Sequence, residues 1–171
     1  MKLWISVLMT MLLTGCVGLP EKVTPVNDFE LERYLGKWYE VARLDHSFER
    51  GMNQVTADYS MREDGGVKVL NQGYLVEDDE WKSAEGKAYF VEAEDTGYLK
   101  VSFFGPFYGS YVVFELDKQD YQYAFISGPN HDYLWFLSRT PQVSDELKQD
   151  FIAQAKSLGF DTEQIIWVDQ K

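Results

Sequence analysis

The sequence predicts an all-β fold: an eight-stranded antiparallel up-and-down β-barrel with a C-terminal α-helix packed on its outside. Three observations lead there. Between Gly36 and Arg139 the chain falls into eight short β-rich runs, each closed by a turn signal. No helical stretch separates them, which argues against the βαβ units of a parallel sheet. After Thr140-Pro141 the apolar period lengthens from that of a strand to that of a helix. Eight strands joined by short turns can close on themselves and so lose both edges.

The N-terminus does not read as part of that fold. Lys2 precedes an apolar run, Leu3 to Leu13, broken only by Ser6 and Thr10. The run is short of the ~20 residues that span a bilayer and suits the core of an export signal. Leu13-Thr14-Gly15-Cys16 then resembles the lipobox of bacterial lipoproteins: an apolar residue, two small ones and a cysteine. That resemblance implies a signal peptide over residues 1–15, a diacylglycerol thioether on Cys16 and a further acyl chain on the amine freed by cleavage. Two or three chains anchor a protein firmly where one is marginal. The alternatives are an ordinary signal with an incidental cysteine, or a short membrane anchor. Val17 stands where an Asp would imply retention in the inner membrane, so the resemblance implies the bacterial outer membrane, periplasmic side. Residues 16–27, with Pro20 and Pro25 and no clear period, read as the lipidated N-terminus and a tether, leaving 28–171 as the domain.

Within the domain, residues 28–35 can form one helical turn. The eight runs follow at 38–44, 54–62, 67–75, 81–91, 98–104, 110–116, 121–127 and 133–139. The second alternates clearly, with Val55, Ala57, Tyr59 and Met61 on one face. Asp64-Gly65-Gly66 makes a tight hairpin turn. Ser144 can cap a helix running to about Leu158, with Gly159 as its stop. Leu147, Phe151, Ala155 and Leu158 share one face of it, and residues 165–168 form a last short strand.

Composition narrows the function. Hydrophobic residues make up 45% of the 171 and aromatics 16%, so a large apolar surface must be placed somewhere. The 28 acidic against 16 basic side chains leave a net charge of −12, which argues against a nucleic-acid partner and against a polybasic membrane patch. Cys16 is the only cysteine, so the domain must stand without an internal disulfide.

Gly36-Lys37-Trp38, at the start of the first strand after a helical turn, together with Arg139 at the end of the eighth, resembles the signature of the lipocalins. The stretches Phe48-Glu49-Arg50-Gly51, Glu85-Gly86-Lys87-Ala88-Tyr89-Phe90, Val101 to Gly109 and Asp132 to Trp135 resemble bacterial lipocalins, a group related to apolipoprotein D. Gln119-Asp120-Tyr121 keeps two of the three residues of the family's middle motif. The likeness runs over about residues 28–169. It implies that Gly36, Trp38 and Arg139 form a structural floor, with the guanidinium laid across the indole.

The opposite end then holds the mouth, and the turns between strands 1–2, 3–4, 5–6 and 7–8 gather there. Strand phase and the resemblance place Val55, Ala57, Tyr59, Val69, Ala88, Phe90, Phe103, Tyr111 and Trp135 in an apolar cup as ligand-binding residues. Gly86, Val101, Val113, Ala124 and Leu137 face the same way, with no lysine or arginine among them. Glu40 and Glu115 also fall on inward positions. Such a cup suits binding, storage or transport of a lipid-like apolar ligand, a fatty acid or lysophospholipid. An interior filled by side chains has the same pattern. The aromatic run Phe103 to Tyr108 has three readings: membrane or partner contact, a homodimer contact, or packing around a turn.

Enzyme chemistry finds little support. There is no glycine-x-serine-x-glycine elbow and no His-Glu-x-x-His spacing. His46 and His131 both fall in mouth turns, where solvated histidines are commoner than metal ligands. The expectation is a binding protein without catalytic residues, cofactor or metal. The rivals are an enzyme acting on a lipophilic substrate and a purely structural envelope lipoprotein.

Overall fold

The computed structural model describes residues 17–171; the expected signal peptide and Cys16 lie outside that range. The strands are β1 (Gly36–Arg43), β2 (Met52–Met61), β3 (Val67–Leu75), β4 (Glu80–Phe90), β5 (Tyr98–Ser102), β6 (Gly109–Leu116), β7 (Tyr123–Ser127) and β8 (Leu134–Ser138). A helical turn, α1 (Leu31–Tyr34), precedes them, and α2 (Asp145–Ser157) and a short β9 (Ile166–Trp167) follow. Consecutive strands pair antiparallel from β1 to β8, and β1 also pairs with β8, so the sheet closes. Trp38 lies opposite Ala57 on one side of β1, and Arg43 lies opposite Trp135 on the other.

Closure along β1 is shared. Its pairing with β2 ends at Tyr39 opposite Thr56. Above that point the chain end enters the seam. β9 pairs with Ala42 and Arg43, and Gln54 N donates to Asp169 O at 2.7 Å. Gln170 Nε2 donates to both Glu40 O (2.7 Å) and Val55 O (2.9 Å). The carbonyls left bare where β1 and β2 part are thus satisfied by the last residues of the chain.

Two cores result, one on each side of the wall. The inner one gathers Trp38, Ala57, Tyr59, Val69, Ala88, Val113, Ile126 and Leu137 among others. The outer one lies under α2 and holds Ala42, Val112, Phe125, Leu134, Phe136, Phe151 and Ala155. The difference is written in the strands. β2 and β3 have a solvated outer face and alternate in burial. β7 and β8, covered on both faces, read Tyr-Ala-Phe-Ile-Ser and Leu-Trp-Phe-Leu-Ser, nearly continuous apolar runs. Ser144 caps α2 by accepting from Leu147 N at 3.2 Å. Phe151 packs its ring against Phe125 (4.9 Å) and Phe136 (5.0 Å).

One expectation is corrected. The stretch expected to be a free tether is laid along the barrel wall. Ser110 Oγ donates to Gly18 O at 2.6 Å, and Tyr98 Oη donates to Val17 O. Val23 is buried in the outer core. Val26 N donates to Val113 O, and Gly97 N donates to Val26 O. The physical reason is that β5 and β6 leave apolar and polar groups uncovered beside α2, and this segment covers them. The folded unit therefore begins upstream of residue 28.

Candidate ligand-binding site

The barrel floor is built from the family signature outward. Gly36 enters β1 with φ +91, where a side chain is strained. Trp38 is fully buried, and its Nε1 donates to Tyr34 O at 2.8 Å. The Arg139 guanidinium lies 3.9 Å from the Trp38 ring centroid. Its nitrogens donate to Lys37 O (3.0 Å), Arg33 O (2.8 Å) and Tyr121 O (3.2 Å). Arg33 in turn sits 4.2 Å from the Tyr121 ring, and Tyr121 Oη accepts from Glu30 N at 3.0 Å. One arginine thereby ties α1, β1, the β6–β7 turn and the end of β8 at a single point. Asp120-Tyr121, the kept part of the middle motif, belongs to this floor.

Above the floor the interior is apolar with a hydroxyl chain through it. Tyr111 Oη meets Tyr34 Oη at 2.7 Å and Tyr59 Oη at 2.9 Å. Burial pushes all three phenols well above their ordinary range, so they stay neutral. Of the nine expected lining residues, Ala57, Tyr59, Val69, Ala88, Phe90, Phe103, Tyr111 and Trp135 meet in the inner cluster. Val55 is buried next to it, 3.2 Å from where a Cβ on Gly73 would stand. Their depths differ. Phe90 lies low, with its ring 6.1 Å from Phe29. Tyr59 and Tyr111 are already engaged with each other. Phe103 lies across the interior, where a Cβ on Gly86 would come within 2.8 Å of its ring.

The lower half is thus filled, and on β4 an inward position is exposed higher on the wall. β5 pairs with β4 no higher than Ser102 opposite Lys87. Over that point β4 stands free of a neighbour on this side. Ala84, opposite Asn71 and in phase with Gly86 and Ala88, is solvent-exposed although it sits on the inward face. Beside it, a cleft of about 240 Å³ on the wall is lined by Arg62, Glu85, Gly86, Lys87, Ser102, Phe103 and Gly105, most of them polar. A second groove of about 370 Å³ lies outside the wall, along Lys37, Thr56, Gln72 and Trp81.

The upper wall also holds a buried polar group that corrects the expectation of a lining without basic residues. Arg43, on the inward face after a register shift in β1, is 2% exposed. It donates to Glu40 Oε1 (2.7 Å), Glu49 O (2.8 Å) and Met52 O (3.1 Å). His46 Nε2 lies 3.0 Å from Glu49 Oε2, and Trp135 Nε1 donates to the same oxygen at 3.2 Å. Burial, then the nearby Glu49 carboxylate, pushes the Glu40 carboxyl well above the usual range and outweighs the pull of Arg43. Burial also pushes Glu49 up, but His46 and Trp135 outweigh it and hold that carboxyl low. The pair therefore divides into one carboxyl that favours its proton and one that favours its charge.

Three sequence expectations change here. Glu115 lies on the outer wall, where Gln154 of α2 bonds its carboxyl. His46 is buried between Trp135 and Tyr133 rather than solvated. His131 lies 3.0 Å from Leu158 O at the end of α2 and packs on Phe160 at 4.9 Å, away from His46's partners. The Glu40-Arg43-Glu49 network escaped sequence reasoning because Glu49 comes from a loop. Its one sequence trace is a charged pair, Glu40 and Arg43, inside an otherwise apolar strand.

A closed barrel sealed by a stacked arginine, apolar inside and open at one rim, defines a container for apolar molecules. Residues 29–170 match the model of the lipocalin-like domain, and the chain belongs to that family. It is 65% identical over 165 residues to the outer membrane lipoprotein Blc of Vibrio cholerae, covering 96% of each chain. Against its Escherichia coli counterpart the identity is 56% over 151 residues, 88% of this chain and 85% of that one. Rat apolipoprotein D is 33% identical over 129 residues, 71% of this chain and 67% of its own length. Among solved structures, insecticyanin from the tobacco hornworm Manduca sexta superposes with a TM-score of 0.68 at 22% identity, covering 89% of this chain and 86% of that one. This last likeness speaks for the fold alone. The protein is a lipid-anchored lipocalin of the outer membrane that binds or carries hydrophobic ligands.

Proposed function

We propose that the protein holds a single-tailed lipid, a fatty acid or lysophospholipid, in the upper half of its barrel, and that it is anchored through acylated Cys16. The tail enters past Ala84 and Phe103, with Trp135 and Val69 as the wall against it and Tyr111 and Ala88 beneath its end. The observation that carries this reading is the inward-facing Ala84, exposed above a sealed apolar interior. A tail moved from water into such a site gains about 0.8 kcal/mol per buried methylene. Storage or transport across the aqueous periplasm follows from that gain, and the site needs no catalytic group. Among the described residues no cluster of three or more His, Cys, Asp or Glu side chains is placed to hold a metal.

The test is mass spectrometry of lipid that co-purifies with the protein, with a fatty-acid displacement assay beside it. Trp135→Arg and Tyr111→Arg are expected to abolish binding. Ser47→Ala, in the exposed β1–β2 loop, is expected to leave it intact. Lipid turnover by the wild type that this variant lacks would favour the enzyme reading. Failure of the wild type to take up any lipid would leave only an envelope structural role.

A further inference from the structure

We infer that Tyr111 donates the one unused proton of a buried phenol trio to an oxygen on the inner end of the bound lipid, so that the cup selects tails whose far end carries a hydroxyl or carbonyl oxygen. The inference rests on the reading that a lipid tail fills the upper half of the barrel. Tyr34, Tyr59 and Tyr111 each bring one hydroxyl proton. Burial keeps all three phenols neutral, so none of those protons is lost. Two hydrogen bonds join them, Tyr34 Oη to Tyr111 Oη at 2.7 Å and Tyr59 Oη to Tyr111 Oη at 2.9 Å. Two bonds use two protons, and the third has no acceptor among the described residues. Its place follows from the direction of the bonds. If Tyr111 donates to one neighbour, the unused proton stays on the phenol that receives, Tyr34 or Tyr59. These are 3% and 7% exposed, so the proton would be stranded in the core at the cost of a missing hydrogen bond. If both neighbours donate to Tyr111, the unused proton is its own. Tyr111 faces inward and is half-buried against the inner cluster, so this arrangement alone turns the proton toward open space. A hydroxyl that accepts from two others is polarised by them and donates more strongly.

The groups around that proton decide its partner. Leu99 stands opposite Tyr111 across the β5–β6 pair, and Val101 and Val113 belong to the same inner cluster. These apolar neighbours offer no acceptor. A tail that ends here in a methyl group leaves the proton unpaired, whereas a tail that ends in an oxygen accepts it. A carboxylate does not fit. The Glu40 and Glu49 carboxyls already act on Tyr59 with the same sign. The Arg43 guanidinium, the cation of that network, is taken by Glu40 Oε1 and by two backbone carbonyls. A second buried anion would therefore go uncompensated. The fitting ligand carries polar groups at both ends: a charged head toward the rim and a neutral oxygen at the chain terminus, as in ω-hydroxy and (ω−1)-keto fatty acids.

The test compares saturated fatty acids of graded length with their (ω−1)-ketones in a displacement assay on the full chain. At the length that binds best, Tyr111→Phe is expected to weaken the ketone about fivefold to tenfold more than the plain acid, the worth of one neutral hydrogen bond. An equal effect on both ligands would overturn the inference and leave lipid binding intact. Uptake of neither ligand by the wild type would overturn the lipid-binding reading and this inference together. A second measurement needs no stable Phe variant. The infrared stretch of an isotope-labelled terminal carbonyl is recorded on the wild-type protein and again with Tyr111 replaced by a ring-fluorinated tyrosine, a stronger acid of nearly the same shape. The stretch is expected to lie below its value in an alkane and to fall further with the fluorinated ring. A carbonyl that is unshifted, or whose shift ignores the fluorine because water alone supplies the proton, would overturn the assignment.

Discussion

Arg139 is bound to three backbone carbonyls and one indole, and each of those contacts needs the flat fork of a guanidinium. An ammonium at that position keeps the charge but reaches at most part of the set. Arg139→Lys is therefore expected to lower stability by about 2 kcal/mol. Urea unfolding should show this as an earlier midpoint with an unchanged slope; an unchanged midpoint would refute the role given to the stack. Glu40 supplies a prediction of another kind. Its folded carboxyl binds a proton more tightly than the unfolded one does. Its contribution is thus fully present below the ordinary glutamate range and is lost as pH rises through the raised folded value. Glu49 works in the opposite sense: its contribution is present above the ordinary value and lost as pH falls below it. Thermal melts from about pH 5 to about pH 8 should show the wild type declining and Glu40→Gln declining less. An identical slope in both would assign the effect elsewhere.

At the scale of elements, the weakest point of any barrel closed from one chain is where its first strand must meet two neighbours. Here β1 meets three, because β9 and Gln170 take over where β2 turns away. Gln170→Ala removes two hydrogen bonds from carbonyls of different strands and is expected to cost about 1–2 kcal/mol. The measurement specific to this arrangement is amide exchange. Protection of Gln54 and Val168, whose amides bond Asp169 O and Val41 O, should fall ahead of that of the β6–β8 core. Uniform loss of protection would mean that the seam is no weaker than the rest. The sequence announced β9 as a short apolar run, but its partner could not be read. A two-residue strand carries no register of its own, and which edge it meets depends on where β1 and β2 part.

At the scale of the molecule, the barrel has one end sealed by Trp38 and Arg139 and an opposite rim that carries exposed aromatics beside the acidic β3–β4 turn, and its N-terminal segment runs along the outer wall. That path ties residues 17–27 to the wall, so the segment adds to the fold.

What the sequence determined by itself was local in period or fixed in spacing. The eight alternating runs, the cap at Ser144, the stop at Gly159, and Trp38 and Arg139 some ~100 positions apart were all legible, because hydrophobic period and turn chemistry act over a few residues. The inward phase of Val69, Ala88 and Tyr111 followed from the same alternation. Only the tertiary structure decided how far the interior is filled, that Tyr34 joins Tyr59 and Tyr111, that Arg43 is buried beside Glu40, and that residues 17–27 lie against the wall. Each of these depends on side chains distant in sequence competing for one space. Packing density and the satisfaction of buried polar groups are properties of the assembled shape, and no single stretch of chain encodes them.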